Sequence, residues 1–137
     1  MPRFFSARVT RWSMRETTDT DLYRRWIDDL WNGPKDRTKL AEIAEEFVDE
    51  DFVGHWPTTD VVGPGKLAAL IAAVKATHKG LEYSLEVGPF GGDGYVAARW
   101  ISHGTVGAGE NVYTSGNDIL RIADGRLVEC WVASPGV

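Results

Sequence analysis

Apolar positions in the first third of the chain recur with helical spacing. Leu22, Tyr23, Trp26, Ile27, Leu30 and Trp31 fall at i, i+1, i+4, i+5, i+8 and i+9, one stripe along a helix. Thr18, Asp19 or Thr20 can cap its start, and Gly33-Pro34 ends it. A second helix is predicted from about Thr38, with Leu40, Ile43, Ala44 and Phe47 inward and Glu42, Glu45 and Glu46 in water. The short linker predicts that these two helices pack side by side. Phe52 to Pro57 reads as irregular or briefly extended. Gly63-Pro64-Gly65 then turns into a third helix carrying Leu67, Leu70, Ile71 and Val74, with Gly80 just past its end.

The period changes after Gly80. Leu81, Tyr83, Leu85 and Val87 alternate, and Gly91-Gly92-Asp93-Gly94 makes a turn. Tyr95 to His103 is a long strand, and Gly107-Ala108-Gly109 makes the next turn. Two further strands meet at Asp124-Gly125, a pair that tolerates positive φ. Three helices followed by four antiparallel strands predict an α+β fold, a cone-shaped curved antiparallel sheet closed by three N-terminal helices. Strand parity then sorts the chemistry. Val112, Thr114, Gly116, Asp118, Leu120 and Ile122 share one face, and the alternate set is more polar. Asp118 therefore points inward among apolar neighbours, where a charge is costly unless something pairs with it or uses it. On the preceding strand Val96, Ala98, Trp100 and Ser102 form the apolar face, which sends His103 outward.

Composition narrows the function classes. The chain is a single domain over residues 18–137, preceded by a basic extension over residues 1–17. Residues 1–15 carry Arg3, Arg8, Arg11 and Arg15 with no acid, so the rest of the chain sits at −9 against a total of −5. An acidic body without a basic stripe argues against nucleic acid as a partner. No apolar run is long enough to span a bilayer, and no secretory h-region is present, so a cytoplasmic protein is expected. The lone Cys130 excludes an internal disulfide and a cysteine-based metal cluster. His55, His78 and His103 lack metal-ligand spacing, so no metal site is expected. Six Trp residues suit either a core or an aromatic-walled pocket.

With these elements placed, four stretches carry a resemblance. They are Leu30-Trp31-Asn32-Gly33 closing the first helix, Phe52-Val53-Gly54-His55, and Gly63-Pro64-Gly65. The fourth is Gly116 to Ile122 followed by Asp124-Gly125 and Glu129-x-Trp131. Over roughly residues 20–132 the chain resembles the polyketide cyclase (SnoaL-like) family of the nuclear-transport-factor-2-like superfold. The resemblance implies a cofactor-free acid/base reaction on a ketone, with Asp118 at the position of the inward aspartate. It also implies a homodimer paired through the outer sheet face, which would cover Tyr113 and Ile119. This chain departs from the family pattern at Gly104-Thr105-Val106, where Gly-Thr-His is common, and at Cys130, where a histidine is common.

The expectation is a cofactor-independent lyase or isomerase acting on a small apolar or polycyclic ketone in an aromatic-walled cavity. Asp118 would move the proton, and His55 or an ordered water would polarise the carbonyl. Tyr23, Trp26, Trp56, Trp100, Ser102 and Trp131 would bind the ligand. The alternative is a non-catalytic small-molecule-binding or dimerisation module of the same fold.

Overall fold

The computed structural model describes residues 18–135. The expected basic extension over residues 1–17 lies outside the described residues. Helix α1 spans Asp19–Arg25 and continues into a π-helical stretch, Trp26–Trp31. Thr18 caps it through a reciprocal box with Asp21. The π stretch ends with the Asn32 amide donating to the Ile27 carbonyl at 2.8 Å. Widening the turn lets Trp26, Ile27, Leu30 and Trp31 all bury on the sheet side. Helix α2 spans Arg37–Phe47 and α3 spans Gly63–Thr77. The expected side-by-side pairing of the first two helices is corrected. α2 packs chiefly on α3 and only lightly on the π stretch.

The sheet has six strands rather than four. They are β1 Val48–His55, β2 Asp60–Val62, β3 Lys79–Gly92, β4 Tyr95–Val106, β5 Glu110–Ala123 and β6 Arg126–Ala133. Their spatial order is β2-β1-β6-β5-β4-β3. β1 runs parallel to β6, and every other pairing is antiparallel. The segment read as irregular is therefore the end of β1. Its partners come from the far end of the chain, and the acidic Asp49-Glu50-Asp51 hides its alternation.

Burial along β5 alternates as the sequence predicts, with Gly116, Asp118, Leu120 and Ile122 inside and Asn117 and Ile119 outside. Direct pairing sets Asp118 opposite Ala98, Gly116 opposite Trp100, and Thr114 opposite Ser102. The core lies between this inner face and the helices, around Tyr23, Trp26, Phe52, Leu67 and Leu120. Gly116 has a steric reason. A side chain there would run into the Trp100 ring and come within 2.9 Å of the Ala133 carbonyl oxygen. The bare backbone lets the indole of Trp100 lie against β5.

Lys75 closes the end of the first helical unit. Its Nζ donates to the carbonyls of Leu30, Gly33 and Pro34 at 2.7, 2.8 and 2.8 Å. Leu30 closes the π stretch, its carbonyl also accepting from the Gly33 amide at 3.1 Å, and Gly33 and Pro34 lie just past the helix end, so one ammonium gathers the carbonyls of the exit turn. Asn32 then ties the same end to β3, donating to the Tyr83 carbonyl at 2.9 Å and accepting from the Tyr83 amide at 2.8 Å.

Candidate functional site

Asp118 is 3% exposed and sits where helix one crosses the inner face of the sheet. Three donors converge on it. The Tyr23 hydroxyl and Trp26 Nε1 donate to Oδ2 at 2.8 and 3.1 Å, and Trp100 Nε1 donates to Oδ1 at 3.0 Å. Tyr23 and Trp26 lie three residues apart on one helix stripe, and Trp100 comes from β4 by parity. Burial raises the carboxyl above its ordinary range, and the bonds from Trp100, Tyr23 and Trp26 act against that rise. Burial, followed by the charge of Asp118, holds the Tyr23 phenol far above its usual range, so it stays a donor.

A carboxylate offers about four acceptor positions. Oδ2 fills two and Oδ1 one, which leaves Oδ1 with a spare position. Beside the carboxyl lies a void of about 20 Å³ bounded by Trp26, Ile27, Trp31, Trp56, Tyr83, Trp100, Asp118, Val132 and Ser134. That is the space of roughly one water molecule. A larger hollow of about 200 Å³ shares Tyr83, Trp100 and Ser134 with it and extends past Ser102 and Thr114. The Tyr83 and Trp100 rings meet edge-on at 5.1 Å between the two spaces.

The expected site residues thus divide. Trp26, Trp56, Trp100 and Asp118 border the small void, and Tyr23 reaches it only through its bond to Asp118. Ser102 lies at the larger hollow. His55 and Trp131 are corrected to the opposite face. Val132 pairs with Asp118, so its neighbour Trp131 must point outward, and Trp131 pairs with His55. The two rings stack at 5.6 Å on the outer surface. His103 also faces outward as parity predicts, stacked on Tyr113 at 4.5 Å and bonded to Asn111. The residues sequence reading missed are Trp31, Tyr83, Ser134 and Lys75. Trp31 was on the helical stripe, Tyr83 alternated with Leu81 and Leu85, and Lys75 stands four residues after Ile71 on the buried face of α3. Ser134 follows the last strand and carries no periodic signal.

On the outer face His55 bridges two carboxylates, through Nε2 to Glu129 at 2.7 Å and Nδ1 to Asp60 at 3.1 Å. Arg121 holds the other oxygen of Glu129 at 2.9 Å. The bond to Glu129 raises the His55 imidazole above its usual 6.5, and the bonds from His55 and Arg121 hold Glu129 below its usual 4.5. The histidine's contribution is complete below 6.5 and fades as pH rises through its folded value. The glutamate's contribution is complete above 4.5 and fades as pH falls through its folded value. The stability lost in Glu129→Gln should therefore peak between pH 4.5 and 6.5, measured by urea melts across pH. Its size should be about 1 kcal/mol or less for a pair at the solvent-facing surface of the sheet.

The curved antiparallel sheet closed by helices on one face is the nuclear-transport-factor-2-like fold. A model of the SnoaL-like domain family matches residues 23–130, and the chain belongs to that family. None of the curated proteins matches it. Among solved structures it is similar to a candidate SnoaL-like polyketide cyclase from Jannaschia sp. CCS1, at 17% identity and TM-score 0.74, covering 88% of this chain and 87% of the other. A candidate isomerase of the SnoaL-like family from Agrobacterium tumefaciens gives 18% and 0.68, over 84% and 95% of the two chains. A Catenulispora acidiphila protein with a ketosteroid isomerase-like fold, in complex with trimethylamine, gives 13% and 0.70, over 84% and 85%. At these identities the likeness establishes the fold. Among the described residues no helix is long and apolar enough to cross a membrane, and no group of three or more His, Cys, Asp or Glu could hold a metal ion.

Proposed function

We propose that this chain is a cofactor-independent lyase or isomerase that moves a proton on a small ketone, with Asp118 as the acid/base. One observation carries the reading. A carboxyl withdrawn from water keeps one acceptor position free on Oδ1 while three donors fix its orientation. Those donors remain bonded whether Asp118 is charged or neutral. The group can take a proton at the free position and return it without moving. The raised carboxyl brings the base closer to the acidity of a carbon beside a carbonyl. With His55 on the outer face, polarising the ketone oxygen falls to the Tyr83 hydroxyl, which borders both spaces and has no hydrogen-bond partner among the described residues. Only the reacting edge of a ligand fits beside Asp118. The rest lies beyond the Tyr83–Trp100 pair, which separates to admit it.

A specific observation favours the second reading, a non-catalytic binding or dimerisation module. The space beside Asp118 is about 20 Å³, and its three donors also stitch helix one to β4 and β5. Under that reading the acid is a brace. Exposed Ile101, Tyr113, Ile119 and Trp131 on the outer face support the pairing of two copies that the resemblance implies.

Deuterium exchange into cyclic ketones separates the two. The wild-type chain should catalyse exchange beside the carbonyl in deuterated water. Asp118→Asn should lose about 10²–10⁴-fold of it while staying folded. Absence of exchange across the ketones would leave the binding module as the reading, and exchange unchanged in the variant would overturn Asp118 as the acid/base.

A further inference from the structure

The larger hollow has a chemistry of its own. Ser102 and Thr114 face each other across β4 and β5 on the inner face, and Tyr83 and Ser134 complete a ring of hydroxyls. Ser102 and Ser134 are only 8% and 9% exposed. Yet among the described residues the hydroxyls of Tyr83, Ser102 and Thr114 have no hydrogen-bond partner, and Ser134 reaches only the carbonyl of the next residue at 3.4 Å. Tyr83 and Thr114 are half-buried, but at the buried Ser102 and Ser134 a poorly partnered hydroxyl calls for a reason, because it costs free energy unless something bonds to it. The remaining wall is apolar, from Val74, Leu81, Trp100, Val112 and Pro135.

Charge is what this hollow lacks. Among the described residues no Asp, Glu, Lys or Arg borders it. His78 is there, but its Nδ1 already meets Thr77 and the Val74 carbonyl at 2.9 and 3.0 Å. A charged ligand would lose its hydration with no opposite charge in return. A hydroxyl both donates and accepts, so the ring suits neutral hydroxyl and carbonyl oxygens equally well. The volume of about 200 Å³ falls below the roughly 300–1,000 Å³ of pockets for drug-sized ligands. That is room for one ring. Thr114 lies four residues from Asp118 along β5, about 14 Å, so oxygens held here do not touch the carboxyl.

We propose that this hollow is a subsite for a neutral, single-ring compound carrying two or three hydroxyl or carbonyl oxygens, held by Ser102, Thr114, Tyr83 and Ser134. The proposal rests on the reading that ligands enter the cone, but not on Asp118 chemistry. It thereby assigns the part of a ligand that lies away from Asp118 the chemistry of one neutral, oxygenated ring.

The test is calorimetric titration of the full chain with resorcinol and phloroglucinol, against meta-hydroxybenzoate as the charged analogue and toluene as the apolar one. Resorcinol or phloroglucinol should bind at least tenfold more tightly than either comparison compound. The double variant Ser102→Ala, Thr114→Val should weaken that binding by about five- to a hundredfold, the range expected for two neutral hydrogen bonds. Should the double variant fail to fold, amide shift mapping on the wild type decides. Perturbations at Ser102, Thr114 and Tyr83 support the subsite, whereas none there overturns it. Equal binding of the anion or of toluene, no binding of either neutral phenol, or binding indifferent to the two substitutions would also overturn it. Asp118→Asn should leave the binding intact. Absence of ketone exchange by the wild-type chain, with this binding preserved, therefore counts against the acid/base reading alone.

Discussion

Asp118→Ala is expected to lower the unfolding free energy by about 3 kcal/mol or more, read from urea or thermal melts. The substitution strands the Tyr23 hydroxyl and two indole N–H groups in a dry interior, and each unsatisfied buried donor costs about 1–3 kcal/mol. Asp118→Asn should cost far less. Its amide oxygen can take the two donors now on Oδ2, and only Trp100 Nε1 then faces an N–H group. Tyr23→Phe should be milder still, because the carboxylate keeps both indoles. This order, Ala worst, Asn intermediate and Phe at 23 mildest, follows from counting stranded donors. A flat series would mean that water reaches the acid and that the site is not dry.

The second large effect belongs to Lys75. Lys75→Met keeps most of the buried stem but leaves the carbonyls of Leu30, Gly33 and Pro34 without their shared donor. A loss of about 2–4 kcal/mol is expected, by analogy with stripping a partner from a buried charged hydrogen bond. The pH dependence has a definite sign. Burial pushes the ammonium down to about 8 from 10.5. Between those values the unfolded chain binds more protons than the folded one, so stability rises with pH there. That rise should be visible in the wild type and absent from Lys75→Met. The variant should also loosen Asn32 and Tyr83, because the helix end that Lys75 fastens is the one clamped to β3.

Some of this was legible in the residues and some was not, for physical reasons. The inward position of Asp118 followed from parity, because β5 has one apolar and one polar face and a single-residue slip would bury Asn117 and Arg121. The apolar stripe of helix one was equally plain. What periodicity cannot show is convergence. That Tyr23, Trp26 and Trp100 all end on one carboxyl depends on how a helix lies across a sheet about ninety residues away in sequence. β1 was hidden for a related reason, since its partner β6 is at the other end of the chain and three acids interrupt its alternation. The π stretch breaks the 3.6-residue period that sequence reading relies on, without changing which residues are apolar. His55 and Trp131 fall outside the pocket because the parallel pairing of β1 with β6 sets them side by side on the outer face, a pairing that local sequence does not show. With Phe52, Gly54 and Trp56 on the inner face, His55 falls on the outer one.

The account depends most on Asp118 being a carboxyl kept from water, and carbon-13 titration of its side-chain carboxyl measures that directly. The account predicts a midpoint above the ordinary 3.8, and a further rise in Tyr23→Phe, where one stabilising donor is gone. A midpoint at or below 3.8, unmoved by loss of the tyrosine hydroxyl, would contradict it.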